Sequence, residues 1–182
     1  MDIFPGHKTD ASAKTTDSPK PANPDDAREP VLIGVISDTH GLLRPEAVQA
    51  LAGVDMILHA GDIGSLDVLH ALERIAPVTA VAGNMDPYGL AGLQGTAAPE
   101  LGGGLSAWLL HDLSRLDLLP ETAGFAAVIS GHTHRPDIRK KNGILYMNPG
   151  SAGPRRFDFP VTIGIIRRAD ATLHPEIIHL SV

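Results

Sequence analysis

The sequence VLIGVI, at residues 31–36, is an uninterrupted apolar run rich in β-branched side chains. Such a run is typical of a strand buried on both faces, as found in α/β proteins. Two more apolar runs follow, at Met56 to Leu58 and at Val78 to Val81. Helical patterns lie between them, from Pro45 to Leu51 and from a cap at Ser65 to about Ile75. This βαβ order predicts parallel pairing of the three strands.

The second half of the chain has a different pattern, in which short apolar runs are separated by turn residues such as Gly102 to Gly104. The predicted strands are Leu105 to Leu110, Ala126 to Ile129, Asp137 to Lys140, Ile144 to Met147, Val161 to Arg167 and Thr172 to Leu180. Together with the first half, they predict an α/β domain of two packed β-sheets flanked by helices.

Composition limits the chemistry that the chain can use. It has 182 residues, enough for one domain, and no cysteine, which excludes thiolate metal sites and a cysteine nucleophile. The formal net charge of −6 disfavours nucleic acid as a partner, so a phosphate substrate would need a local positive centre.

The first 30 residues are rich in Pro, Asp, Lys, Ser, Thr and Ala and poor in apolar side chains. This composition predicts a disordered N-terminal tail, residues 1–30, ahead of a domain at residues 31–182. No apolar run is long enough to span a bilayer, and the N-terminus lacks the apolar core of a signal peptide. We therefore expect a cytoplasmic protein with no membrane contact.

Polar residues that can bind metals follow five of the predicted strands directly. They are Asp38-Thr39-His40, Gly61-Asp62, Gly83-Asn84, His111 and Gly131-His132-Thr133-His134. Open α/β sheets bind ligands at the carboxyl ends of their strands. Imidazole nitrogen combined with carboxylate and amide oxygen suits hard to borderline divalent ions. The seven side chains are enough for two ions if one carboxylate is shared.

Each of these groups also has an ordinary explanation. An Asp after a strand often caps a helix or a turn, and a lone His is usually a surface or core residue. The repetition of the pattern after five strands favours the metal hypothesis over five unrelated coincidences. His59, three residues before Asp62, is assigned to packing, with contact to the ligands as the alternative.

The order Asp-x-His, Gly-Asp, Gly-Asn, His, Gly-His-x-His resembles the calcineurin-like metallophosphoesterase superfamily. The compact size resembles its small bacterial and archaeal phosphodiesterases. The resemblance extends from about Val31 to the C-terminus, and it implies a four-layer α-β-β-α sandwich. It also implies a hydrolase of small phosphodiesters, with phosphomonoesters as an alternative. Two divalent ions would be the cofactors, with manganese preferred and iron, zinc or nickel as alternatives.

The resemblance further implies a role for each ligand. One ion would be held by Asp38, His40 and His134, and the other by Asn84, His111 and His132. Asp62 would bridge the two ions, so that Asp62, Asn84 and His111 are catalytic as well as ligating. Such a pair of ions binds the phosphate and generates the hydroxide that attacks phosphorus.

The residue that would protonate the leaving group differs between this chain and many members of the superfamily. Those members carry His after the Gly-Asn pair, whereas this chain has Met85 followed by Asp86. A thioether cannot donate a proton, so Asp86 becomes the candidate catalytic acid, with a water as the alternative.

Substrate contacts are predicted from a second resemblance, in the loop that contains Asn148-Pro149-Gly150-Ser151 and Arg155-Arg156. Ser151 and Arg155, together with Asn84, are the predicted phosphate-binding residues. A solvated turn with two surface arginines is the alternative. We expect specificity to come from the loops Asp86 to Glu100 and Asn148 to Pro160.

Three function hypotheses therefore stand beside one another. The leading one is a metal-dependent phosphoesterase for a small substrate. The second is a protein-binding scaffold of the same fold, like the retromer subunit, although all seven ligand positions carry competent residues. The third, a nuclease for long nucleic acid, fits poorly with the acidic balance and the 4% aromatic content. The sequence leaves a homo-oligomer open.

Overall fold

A computed structural model gives the structure of Met1, residues 30–156 and residues 158–182. Most of the tail predicted at residues 1–30 therefore lies outside the described residues.

The fold is built from short elements, mostly strands. The strands are β1 (Val31–Ile36), β2 (Met56–His59), β3 (Val78–Ala80), β4 (Thr96–Ala97), β5 (Glu100–Gly102), β6 (Leu105–Leu110), β7 (Ala127–Ile129), β8 (Asp137–Lys141), β9 (Ile144–Asn148), β10 (Thr162–Ala169) and β11 (Thr172–His179). The helices are α1 (Pro45–Ala50), α2 (Leu66–Glu73) and α3 (Pro120–Ala123), with 3-10 turns at Leu90–Gly92 and Leu113–Arg115.

The first sheet has the order β11-β10-β1-β2-β3. Strands β1, β2 and β3 pair in parallel, as the βαβ pattern predicts, while β10 pairs antiparallel with β1 and β11 antiparallel with β10. The second sheet has the order β4-β6-β7-β9-β8, with β5 also paired to β6. Its central strands β6, β7 and β9 are parallel.

The main core lies between the two sheets. Ile33 and Val35 of β1 are fully buried in one cluster with Leu109 and Ile129 of the second sheet. The outer face of the first sheet packs against α1 and α2, and Gly34 lies there in close contact with the Leu51 side chain, which would have to shift to admit a Cβ.

The outer face of the second sheet has a thinner cover. Leu110, Val128 and Ile144 form a small cluster, against which Leu113 and Leu116 pack. The predicted two packed sheets flanked by helices are confirmed, and this fourth layer is mostly irregular chain. No helix in the described part of the chain is long and apolar enough to cross a membrane.

Backbone hydrogen bonds join the loops at the carboxyl ends of the parallel strands. Asp38 N–H donates to the Gly61 carbonyl within the first sheet's edge, and Gly131 N–H donates to the His111 carbonyl within the second. Ala152 N–H donates to the Ser37 carbonyl. These bonds fix the loops that carry the predicted ligands.

Candidate metal centre

All seven predicted ligands lie on loops that directly follow parallel strands. Asp38, His40, Asp62 and Asn84 follow the strands β1, β2 and β3 of the first sheet. His111, His132 and His134 follow β6 and β7 of the second sheet. The candidate centre is therefore assembled from both halves of the sandwich.

The backbone at these residues adopts an unusual conformation. The left-handed region is occupied by Asp38, His40, Asp62, His132 and His134, whose φ angles lie between 46° and 68°. Non-glycine residues rarely adopt positive φ, and such strained positions cluster at functional sites. Positive φ therefore marks five of the seven predicted ligand positions.

One cluster consists of Asp38, His40 and His134, whose ligand atoms all lie within 4.8 Å of one another. His134 Nε2 is 3.1 Å from Asp38 Oδ1 and 3.4 Å from His40 Nε2. Asp38 is completely buried, yet its Oδ1 has no hydrogen-bond partner among the described residues. A buried acceptor that converges with two imidazole nitrogens, instead of bonding to a donor, fits a cation at this point.

A second group of donor atoms surrounds Asn84. Its Oδ1 is 3.1 Å from His111 Nε2 and 3.0 Å from His132 Nδ1. His111 Nδ1 lies 2.7 Å from the Ala60 carbonyl, which can only accept, so Nδ1 carries a proton. That contact orients the ring and leaves Nε2 as the atom available to a metal.

Asp62 lies between the two groups. Its Oδ2 is 3.8 Å from His40 Nε2 and 3.4 Å from His111 Nε2, while Oδ1 accepts a 2.8 Å hydrogen bond from Met85 N–H. Burial opposes the charged form, but the hydrogen bonds from His111 and Met85 outweigh it and lower the pKa of Asp62. For His111, burial acts to lower the pKa, and the contacts with Asp62 and the Ala60 carbonyl raise it overall. The position of Asp62 suits a shared ligand.

His59 takes part in a buried hydrogen-bond chain and is more than a packing residue. Its Nδ1 accepts from Gly61 N–H at 3.2 Å, so its Nε2 carries the proton and donates to Thr39 Oγ1 at 2.9 Å. Thr39 donates in turn to the Ile63 carbonyl at 3.0 Å. Burial lowers the pKa of His59 to about 3. The neutral ring therefore ties the Asp38–His40 loop to the Asp62 loop.

Asn148 holds the loop of His132 and His134 in a similar way. Its Nδ2 donates to the Gly131 carbonyl at 2.7 Å and to Thr133 Oγ1 at 3.1 Å. Sequence reasoning identified the Asn-Pro-Gly-Ser loop but assigned no role to this amide. The sequence did carry a signal for this role, because a buried strand ends in Asn directly before Pro-Gly.

Three other predicted residues have their polar atoms engaged elsewhere. Asp86 accepts from Gly64 N–H and from Gly83 N–H, both at 2.8 Å, with one carboxylate oxygen each. Ser151 is buried and its hydroxyl donates to the Asp38 carbonyl at 3.0 Å. Arg155 donates to the Val182 carbonyl at 3.2 Å. These contacts connect the loops, and the roles of the three residues in acid catalysis and phosphate binding stay predictions.

Arg156, next in the chain, is the arginine that acts on the centre electrostatically. Burial lowers the pKa of His40, and the positive charge of Arg156 acts in the same direction, against the raising effect of Asp62 and Asp38.

Comparisons of sequence and of structure show which known proteins the chain resembles. The sequence profile of the calcineurin-like phosphoesterase superfamily domain matches residues 31–170. A probable metallophosphoesterase of Methanothermobacter thermautotrophicus is 39% identical over 164 residues, which cover 81% of this chain and 92% of that protein. The solved structure of an archaeal phosphodiesterase matches with a TM-score of 0.67 at 24% identity. The match covers 81% of this chain and 100% of that one. Vacuolar protein sorting 29 of Cryptosporidium parvum has a TM-score of 0.67 at 19% identity, with coverage of 84% of this chain and 99% of that one.

Proposed function

The chain belongs to the calcineurin-like phosphoesterase superfamily, and on that premise we propose that it hydrolyses small phosphodiesters at a centre of two divalent metal ions, preferably manganese. One observation carries the proposal. Ligand atoms from loops of both sheets converge in two overlapping groups, within 4.8 Å of one another in each, and buried Asp38 Oδ1 has no hydrogen-bond donor among the described residues.

The donor set fits such ions. It contains only imidazole nitrogen, carboxylate oxygen and amide oxygen, which suits manganese and its neighbours and excludes sites that need thiolate. We assign Asp38, His40 and His134 to one ion and Asn84, His111 and His132 to the other, with Asp62 shared. When bound, ions of this kind supply Lewis-acid activation of the phosphate and of the attacking water.

The residues of the chain contribute orientation and charge. His111 is held in one tautomer by the Ala60 carbonyl, which points its Nε2 into the centre. The Met85 N–H fixes the Asp62 carboxylate. Asn84 and His132 are the two exposed ligands, and we assign to Asn84 the contact with the substrate as well.

The test is hydrolysis by metal-stripped protein after each of Mn²⁺, Fe²⁺, Zn²⁺ and Ni²⁺ is added back. Bis(p-nitrophenyl) phosphate and p-nitrophenyl phosphate are the matched diester and monoester. We expect metal-dependent cleavage that is faster for the diester. Metal binding without hydrolysis of either ester would overturn the proposal and favour the protein-binding scaffold.

A further inference from the structure

A cavity of about 430 Å³ opens beside the candidate centre. Asn84, His111 and His132 line it, and these are the three residues assigned to the second ion. Arg115, the last residue of the 3-10 turn Leu113–Arg115, also lines the cavity, and this turn lies outside the loops expected to set specificity. A substituent of the bound phosphate would extend into this space.

Arg115 is the cation of this cavity. Its side chain is exposed, and its guanidinium makes no hydrogen bond or ion pair with any residue that the structure describes. An arginine offers a planar set of donors that matches carboxylate and phosphate groups. An unpaired guanidinium facing a cavity beside a metal centre is therefore available to an anionic group of the substrate.

Two carboxylates also line the cavity, and they differ in availability. Asp112 Oδ1 accepts from Ser114 N–H at 2.9 Å and from Ser114 Oγ at 2.8 Å. Its charge is thus engaged in capping the 3-10 turn. Asp117 is exposed at the same cavity and would favour a cation instead.

We propose that Arg115 binds a second anionic group of the substrate, so that the preferred substrates are phosphodiesters in which one ester substituent carries a carboxylate or a further phosphate. This inference rests on the proposed function, because it needs a phosphodiester held at the metal centre.

The test uses the whole chain loaded with Mn²⁺ and three p-nitrophenyl phosphodiesters with the same leaving group. Their second substituents are ethyl, which is neutral, 2-carboxyethyl, which is anionic, and choline, which is cationic. We expect the wild-type protein to have a KM for the carboxyethyl ester roughly tenfold below that for the ethyl ester, as for one charge-assisted contact. Arg115→Gln should remove that ratio, and Arg74→Gln, at an exposed arginine after α2, should keep it.

The outcomes distinguish loss of the anion preference from loss of the phosphodiesterase activity. Hydrolysis of all three esters without preference for the carboxyethyl ester, or with preference for the choline ester, would overturn the inference and leave the phosphodiesterase activity standing. Loss of the preference in Arg74→Gln as well would also overturn it. Failure to cleave any of the esters would overturn the proposed function, and the inference with it.

Discussion

The ligand residues are held in place at a cost in backbone energy. Five of the seven have positive φ, and such conformations cost about 1–3 kcal/mol each unless the surroundings impose them. Here the surroundings are the hydrogen bonds of His59, Thr39 and Asn148, which fix the loops before any ligand is bound.

The shared position of Asp62 gives a prediction about the ligands. Asp62→Ala should reduce metal-dependent hydrolysis more than His40→Ala, because a bridging carboxylate serves both ions whereas water can replace one lost imidazole. Initial rates at saturating Mn²⁺ measure the difference, and metal content measured on the same samples shows how many ions remain. Equal residual rates in the two variants would count against the shared position.

His59 gives a prediction about stability and pH. Its pKa is about 3 in the folded protein against an ordinary 6.5. Below pH 6.5 the His59 ring therefore binds a proton in the unfolded chain but not in the folded chain. The free energy of unfolding falls as the pH drops toward 3. Above 6.5 both states are neutral and the ring contributes no slope.

As the pH falls over this range, we expect the unfolding free energy of both proteins to change. The wild-type protein should lose up to about 1.4 kcal/mol more per pH unit than His59→Gln. Urea unfolding with a chelator present measures both slopes, and their difference gives the contribution of the residue at position 59. Parallel curves would show that folding does not lower the pKa of His59. A lower absolute stability of the variant leaves the comparison of slopes intact.

Met85 gives a prediction about the leaving group. Its thioether cannot donate a proton, and both oxygens of Asp86 already accept backbone N–H groups. General acid catalysis is typically worth about 10²–10⁴-fold, so rates should fall steeply as the pKa of the leaving phenol rises. A series of aryl methyl phosphodiesters measures this slope. Met85→His should flatten it and Met85→Leu should not, whereas a flat dependence in the wild-type protein, with bond cleavage rate-limiting, would mean that another group donates the proton.

At the scale of the elements, close contact between loops decides which glycines are needed. A Cβ at Gly83 would collide with the backbone nitrogen and the carboxylate of Asp62. Gly95, in the chain between β3 and β4, has open space around the corresponding position and an ordinary φ. The two glycines therefore form a matched pair for substitution by alanine.

We expect Gly83→Ala to weaken Mn²⁺ binding at least about tenfold, since displacing the Asp62 loop costs energy on the scale of an overpacked core. Gly95→Ala should bind Mn²⁺ like the wild-type protein. Calorimetric titration of both folded variants measures this. Unchanged affinity in Gly83→Ala would mean that the Asp62 loop moves freely and does not define the centre.

The elements that sequence predicted are those with strong local patterns. The apolar run was sufficient to predict β1, because few structures other than a strand buried on both faces have such a sequence. The glycine turn was sufficient to predict where β6 begins, because positive φ favours glycine. The sequence did not predict β4, which has two residues, or α3, which has four. Segments this short show no hydrophobic periodicity. The placement of β10 beside β1 depends on contacts distant in sequence and is invisible to local patterns.

The candidate centre was predictable for a different reason. Strand ends repeat the same chemistry along the chain, so Asp38, Asp62 and His111 stand out before any geometry is known. Contacts made by side chains to backbone atoms have no such signature. The engagement of Asp86, Ser151 and Arg155 by backbone groups, and the exposure of Arg115 to a cavity, required the structure.

At the scale of the whole molecule, the candidate centre joins the two sheets. Asp38, His40, Asp62 and Asn84 follow strands of one sheet, and His111, His132 and His134 follow strands of the second. Between the sheets the apolar core already provides adhesion, through residues such as Val35 and Leu109. Bound ions would add a polar cross-link at one end of the sandwich.

Thermal unfolding should therefore depend on metal. Manganese at about 100 times its dissociation constant stabilises the folded state by roughly 2.7 kcal/mol per site, because the unfolded chain lacks the assembled ligands. For a domain of this size each kcal/mol shifts the midpoint by about 2–4 °C, so metal-stripped protein should gain at least about 5 °C on addition of Mn²⁺. Scanning calorimetry with and without the ion measures the gain. Asp67→Ala, at an exposed carboxylate in the first turn of α2, should keep the full gain, and Asp62→Ala should lose most of it. An equal gain in both variants would place the bound manganese outside the junction of the two sheets.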